Sequence, residues 1–343
     1  MPARQRIAQE IAERGGWISF ARYMELALHA YYAGGAPKFG PGGDFVTAPE
    51  LGTLFGRTLA RCLPFKSILE LGAGSGKLAE TLLEALDCEY FILETSAALR
   101  ERQRERLGKR VTFLDRLPQG FHGAVLANEV ADALPVHLVA WTAQGIMERG
   151  VRSEGEGFAW EDRPASGQLL AEASGIEVPV PYVSEIGLAA RAWTRSLVES
   201  VSEGVILVVD YGFPRREYYH PQRAAGTLMC HYRHQAHADP FARPGEEDIT
   251  AHVDFTALAE AAREAGAELL GYATQAQFLV NCGITEVLAE ANAENALHYA
   301  PIAAQAQKLL SPAEMGELFK VIAVGRGSPA LAGFSRGDRS HTL

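Results

Sequence analysis

From residue 67 onward, short apolar runs alternate with amphipathic helical stretches, and this rhythm restricts the fold more than any other feature. "SILEL" (67–71) precedes "KLAETLLEAL" (77–86), in which Leu78, Leu82, Leu83 and Leu86 recur at helical spacing. "EYFILE" (89–94) precedes a charged helical stretch at 97–107, and "VTFLD" (111–115) and "GAVLANE" (123–129) supply two more runs. After a helical stretch at 187–202 comes "GVILVVDYG" (204–212), the most continuously apolar of them. Continuous rather than alternating apolar strands are buried on both faces, which a parallel sheet wrapped by helices achieves. A further helix at 254–266 and strands at 268–273 and 320–325 complete a mostly parallel, doubly wound α/β sheet.

Three segments depart from the rhythm. Residues 1–62 carry helical patterns at 4–14, 19–31 and 50–62, with a glycine/proline-rich stretch, "AGGAPKFGPGGDFVTAPE", between them. Ser19 is placed to cap the second helix, and a loop so long and rich in glycine is a lid candidate. Residues 137–182 contain "HLVAWTA", "IMERGVR", "GFAWED" and "QLLAEA", which read as short strands of an antiparallel insertion. The last residues, 328–343, read as a flexible tail. The core is thus expected at 63–136 and 183–327.

The loop after the first core strand narrows the ligand. "ILELGAGSGKL" (68–78) contains Gly76-Lys77, but a Walker A loop needs glycine where Leu71 stands and a hydroxyl where Leu78 stands. A dinucleotide fingerprint needs its third glycine at Lys77. The pattern Glu70-x-Gly72-x-Gly74-x-Gly76 instead matches an S-adenosylmethionine loop, where the missing Cβ atoms let backbone pass under the ligand. Such a ligand also needs an acid at the end of the next strand for its ribose hydroxyls, and Glu94 stands there. The fourth strand exits through "LANEVADALPVH", which puts Asn128, Glu129 and Asp132 where an acceptor would meet the cofactor. Asp44, Thr47 and Glu50 follow Gly42-Gly43 in the lid stretch.

Other signals exclude more than they assign. The formal charge of −10 argues against coating nucleic acid. No apolar run reaches the roughly 18–20 residues of a membrane span, and the N-terminus lacks the pattern of a signal or transit peptide, which gives a cytoplasmic expectation. Cys62, Cys88, Cys230 and Cys282 are scattered without CxxC spacing and suggest neither a disulfide framework nor a zinc site. His231, His234 and His237 are spaced by three, yet Pro240 and Pro244 favour a loop and no carboxylate or cysteine spacing completes a metal set. No metal is therefore expected. His252 and Asp254, just before a helix, read as capping residues.

Taken together the motifs resemble the MidA-type methyltransferases, related to the mitochondrial arginine methyltransferase that assists respiratory complex I assembly. "GGDFVTAPELGTLFG", "LELGAGSGKLAETLL", "NEVADALPVH", "VVDYG", "GTLMCHYRH", "DPFARPGEEDITAHVDFTAL" and "EMGELFKVIAVG" match that family's segments in order, across residues 5–327. The resemblance implies a class I methyltransferase fold and S-adenosyl-L-methionine as cofactor. It implies cofactor contacts from Glu70, Gly72, Gly74, Gly76, Glu94 and Asn128, with Asp44, Phe45 and Thr47 covering the ligand. Glu129, Asn128 and Asp132 are the implied catalytic group, with an arginine of a partner protein as acceptor. Two departures bear on the acceptor: "LETSAALR" where the family has a pattern nearer "VEISPxLR", and "NEVADALP" without the aromatics common at 130–131. Methylation of a small molecule and a non-catalytic assembly role are the rival expectations. Exposed edges of the insertion could pair subunits as a homodimer.

Overall fold

The computed structural model describes residues 1–34, 46–292 and 294–343. Seven strands form the central sheet: β1 (Ser67–Leu71), β2 (Glu89–Leu93), β3 (Thr112–Leu114), β4 (Phe121–Asn128), β5 (Val201–Phe213), β6 (Glu268–Thr274) and β7 (Phe319–Arg326). Their order is β3-β2-β1-β4-β5-β7-β6, and the pairs from β3 to β5 are parallel while β7 runs antiparallel to both its neighbours. A two-residue strand, Val253–Asp254, also pairs with β5.

Successive strand residues serve opposite cores, as a doubly covered sheet requires. Ile68, Ala124, Leu126, Val205, Leu207 and Val209 pack with α3 (Leu54–Ala60) and α4 (Lys77–Ala85) on one face. Leu69, Leu71, Val125, Ala127, Ile206 and Val208 pack with α6 (Leu188–Ser200) and α7 (Phe255–Glu264) on the other. Helix α5 (Ala97–Leu107) returns the chain from β2 to β3 and is capped by Ser96, whose Oγ accepts from the Leu99 amide. The chain leaves β1 for β2 on one side while β4 lies on the other. This switch point opens a crevice at the strands' carboxyl ends, the usual ligand position in such sheets.

The N-terminal extension and the insertion are joined. Helix α1 (Ala3–Glu13) leads to Ile18–Ser19, which pairs antiparallel with Val151 and Gly150 of the strand Gly145–Glu154. That strand also pairs with His137–Thr142 and Gly157–Pro164, and Tyr182–Ile186 completes the antiparallel sheet. Helix α2 (Phe20–Ala33) begins at Ser19, whose Oγ accepts from the Arg22 amide at 3.2 Å. Ile7, Ile11, Phe20, Tyr23 and Met24 form a separate core with Leu138 and Val151.

Four expectations change. "QLLAEA" lies in a helix, Gly167–Ser174, because Leu169 and Ala173 sit one turn apart and are both buried, a helical period misread among neighbouring strands. Cys62 and Cys282 form a disulfide, bringing the end of α3 to the segment before Ile284–Ala289; separation by 220 residues hides such a pair from spacing arguments. Residues 328–343 are packed rather than frayed: Leu331 and Phe334 are buried, Phe334 meets Phe278 with centroids 5.1 Å apart, and the Arg339 amide donates to the Tyr272 carbonyl at 2.6 Å. Finally, "CHYRHQAH" forms a hairpin, Met229–Tyr232 with Gln235–His237, and Asp248–Thr250 adds a third strand. The three histidines are therefore not on one helical face. Asp254 does cap α7, accepting from the Ala257 amide at 3.1 Å. Among the described residues, no helix is long and apolar enough to cross a membrane.

Candidate active site

The crevice holds a cavity of about 320 Å³. One wall is the loop after β1, in which Gly72, Gly74 and Gly76 have φ of 60°, 53° and 81°. A side chain at these angles is strained, and a Cβ on Gly72 would stand 3.1 Å from Val130 Cγ2 at the cavity edge. The lysine that suggested a phosphate loop is occupied otherwise: Lys77 Nζ pairs with Glu50 Oε2 at 2.8 Å, and Ser75 Oγ donates to the other Glu50 oxygen. Glu70 lines the cavity and its Oε2 accepts from Tyr90 Oη at 2.8 Å. Burial, partly offset by that hydrogen bond, pushes its carboxyl up to about 7.

Glu94 directly follows β2 and lines the same cavity. Its oxygens accept from the Ser96 amide at 2.8 Å and from Gln103 Nε2 at 3.1 Å, which fix the carboxylate from behind. Gln103 also donates to the Gly74 carbonyl at 2.9 Å, so one side chain locks the glycine loop to the acid. Burial raises the Glu94 carboxyl above its ordinary value against the pull of these donors.

The exit of β4 supplies the opposite wall. Glu129 has φ 53°, a conformation that costs a non-glycine residue of order 1–3 kcal/mol and persists only when its surroundings impose it. Those surroundings are visible. The Glu129 amide donates to Val209 O at 2.9 Å, and its Oε1 accepts from the Ala48 amide at 3.3 Å and from Asn128 Nδ2 at 3.2 Å. Asp210, fully buried on β5, accepts with Oδ2 from three successive amides of the exit: Val130 (3.2 Å), Ala131 (2.9 Å) and Asp132 (3.2 Å). Asp132 accepts from Tyr211 Oη at 2.5 Å through Oδ2, while its buried Oδ1 has no partner among the described residues. Asn128 Oδ1 is likewise buried and unpartnered.

Burial dominates the electrostatics of this wall. It lifts Glu129 to about 8, with the neighbouring Asp132 adding to the rise, and Asp132 to about 6. Asp210 is raised well above the carboxylate range by burial and by Asp132 and Glu129, despite its amide donors. Such buried carboxyls bind a proton or meet a cation.

The N-terminal segments close the cavity. Thr47 is buried at its edge, beside the Ala48 amide that holds Glu129. Asp44 and Phe45 lie outside the described residues. Helix α2 contributes Glu25, His29 and Tyr32. The Tyr32 carbonyl accepts from Ser96 Oγ at 2.7 Å, and its hydroxyl donates to Asp248 at 3.1 Å. The structure thus gathers Glu70, Gly72, Gly74, Glu94, Thr47, Asn128, Glu129 and Asp132 around one cavity, while Gly76 caps α4 behind the loop. Asp210, Asp248, Tyr32 and Gln103 escape a reading of the sequence. No local pattern marks them, although "VVDYG" at a core strand's carboxyl end was a usable signal for Asp210.

Residues 57–273 match the model of a family described as "Putative S-adenosyl-L-methionine-dependent methyltransferase". The chain belongs to this family. A COG1565 superfamily member from Burkholderia thailandensis, whose crystal structure contains S-adenosyl-homocysteine, is 50% identical, with 99% of this chain and 96% of that chain covered and a TM-score of 0.95. Among curated proteins, the protein arginine methyltransferase NDUFAF7 homolog, mitochondrial, of Drosophila melanogaster is 29% identical over 91% of this chain and 82% of its own. The Homo sapiens protein arginine methyltransferase NDUFAF7, mitochondrial, is 26% identical over 90% of this chain and 80% of its own. This member of the family is an S-adenosylmethionine-dependent methyltransferase with the class I fold. The donor set fits that cofactor: a glycine loop open to close approach, an acid fixed at the end of β2, and buried carboxyls facing a cavity that would receive a sulfonium and an ammonium.

Proposed function

We propose that the acceptor is an arginine of a partner protein. The observation that carries this reading is the paired Glu129 and Asp132 at the cavity wall, both desolvated, with Asp132 Oδ1 unpartnered. A guanidinium is a planar fork of donors that stays charged in water, and it satisfies such carboxylates bidentately. The names of the fly and human relatives agree with it. Bound S-adenosylmethionine supplies an electrophilic methyl on a sulfonium. The protein's residues align the acceptor nitrogen with that methyl, and such positioning is the larger part of catalysis in a direct displacement. Glu94, Glu70 and the glycine loop hold the cofactor, and Thr47 covers it. Glu129 localises the guanidinium charge toward the far nitrogens and accepts the proton released as the nitrogen is methylated. Asp132 orients the same group.

The test is incubation with radiolabelled S-adenosylmethionine and a cell extract, followed by acid hydrolysis of labelled protein bands. Methylarginine in the hydrolysate is the expected product. Label confined to small molecules would replace this reading with small-molecule methylation, and no label at all with an assembly role. Calorimetry comes first, because Glu94→Ala should weaken cofactor binding at least tenfold; unchanged affinity would remove Glu94 from the cofactor site.

A further inference from the structure

The hairpin Met229–Tyr232/Gln235–His237 and the strand Asp248–Thr250 bring together a second group of chemically active side chains. Cys230 and His237 face each other in register across the hairpin, and Cys230 pairs with Ile249 on its other side. Glu247, immediately before Asp248, completes the group, and one donor atom from each of the three lies within 4.8 Å of the others. Cys230 and Glu247 are fully buried, whereas the His237 ring is 29% exposed.

These contacts leave something unexplained. Glu247 Oε2 meets His237 Nε2 at 3.0 Å and lies 4.0 Å from Arg243 Nη1. Glu247 Oε1 is buried with no partner among the described residues, and a buried carboxylate oxygen left unsatisfied is costly. The Cys230 thiol beside it is also denied solvent. We propose that Cys230, His237 and Glu247 form a site for a borderline-soft divalent cation of the zinc type, with the open fourth position on the solvent side of His237.

The chemistry of the three donors favours that class. Sulfur, imidazole nitrogen and carboxylate oxygen together suit zinc rather than magnesium or calcium, which take oxygen alone. A tetrahedral zinc centre has ligand–ligand edges of roughly 3.3–3.8 Å from its bond lengths. Donor pairs at the 4.8 Å limit therefore need to close by about 1 Å, whereas His237 and Glu247, at 3.0 Å, already stand within that range or closer. One thiolate and one carboxylate neutralise the dication, so the loaded site buries no net charge. Binding displaces one proton, from the thiol, while the single proton of the neutral imidazole moves off His237 Nε2. The imidazole then carries its proton on Nδ1, giving up the long 3.3 Å bond from the Asp239 amide. The metal would clip the hairpin to the strand that begins with Asp248, a residue lining the methyl-transfer cavity.

The full chain is purified without chelator, titrated with zinc chloride against a chromophoric chelator, and its metal content measured by mass spectrometry. About one equivalent of zinc per chain is expected, with His237→Ala and Cys230→Ser each weakening binding by at least tenfold. Cobalt(II) substitution should give a thiolate charge-transfer band that Cys230→Ser abolishes. S-adenosyl-homocysteine binding by calorimetry verifies that each variant is folded, and His237→Ala, at a partly exposed position, covers the case in which Cys230→Ser does not fold. Less than about a tenth of an equivalent at micromolar zinc, or uptake unchanged in folded His237→Ala, would overturn the site and leave a hydrogen-bonded His237 and Glu247 only.

Discussion

Glu129 is the residue on which most of the site's geometry converges. Its left-handed backbone is held by the Val209 carbonyl, and its carboxyl by the Ala48 amide and Asn128. A substitution that keeps the shape but removes the base should separate binding from chemistry. Glu129→Gln is expected to bind cofactor within about threefold of the unaltered protein and to lose roughly 10²–10⁴ in transfer rate, the usual contribution of a general base. Single-turnover label transfer beside calorimetry checks this, and equal losses in both would assign Glu129 to cofactor binding. The carboxyl, raised to about 8, also makes activity climb as pH passes from 6 to 9, since only its deprotonated form accepts a proton. Residue-level legibility in the sequence followed distance along the chain. Glu70, the glycines and Glu94 occupy fixed places on consecutive elements. Asp210 acts on a loop about 80 residues away, and Asp248 arrives by way of a hairpin.

At the scale of elements, the exit of β4 is a loop given the rigidity of a strand end. Three of its amides share one Asp210 oxygen, so the buried carboxylate replaces a cap that the loop's own residues cannot provide. Asp210→Ala leaves those amides without their acceptor, and unpaired buried donors cost about 1–3 kcal/mol each. A loss of about 3 kcal/mol or more in urea unfolding is expected, together with a cofactor affinity reduced through Asn128. Wild-type stability in that variant would mean that the loop is held by something else. The alternation of strand and helix was readable because both faces of the sheet are buried, which leaves uninterrupted apolar runs such as "GVILVVDYG". The Gly167–Ser174 helix was not, since six residues with two leucines fit either period. The C-terminal residues hid their role because their partners, Tyr272 and Phe278, lie some 60 residues upstream. Removing 328–343 takes Leu331 and Phe334 from the core, each worth about 1.5–3 kcal/mol. Truncation should lower the urea midpoint clearly, and an unchanged midpoint would restore the flexible-tail reading.

At the scale of the whole molecule, the carboxyls around the cavity should couple cofactor binding to protons. The chain carries a net charge of −10 and still gathers buried Glu70, Asp132 and Asp210 and half-buried Glu129 around or beside one cavity, with desolvation raising all four. Folded values of about 7 for Glu70 and about 8 for Glu129 exceed the roughly 4.3 of an unfolded glutamate, so between these limits the native state binds more protons than the unfolded one. The stability these two groups contribute is fully present below about pH 4 and is lost as pH rises through about 7 and about 8. A cation seated beside the carboxyls favours their ionised forms, so it must lower those values and expel protons. S-adenosylmethionine, with its sulfonium and ammonium, should therefore release protons on binding at pH 7. Calorimetric binding enthalpies measured in phosphate and in Tris should differ in proportion to the buffers' heats of ionisation. At pH 9, where Glu129 is already ionised in the free protein, the difference should shrink toward zero. The thermal stabilisation given by the cofactor should correspondingly be larger at pH 8.5 than at pH 6. Identical enthalpies in both buffers at pH 7 would mean that the carboxyls do not face the bound cation, and the cofactor contact assigned to Glu70 would fall with them.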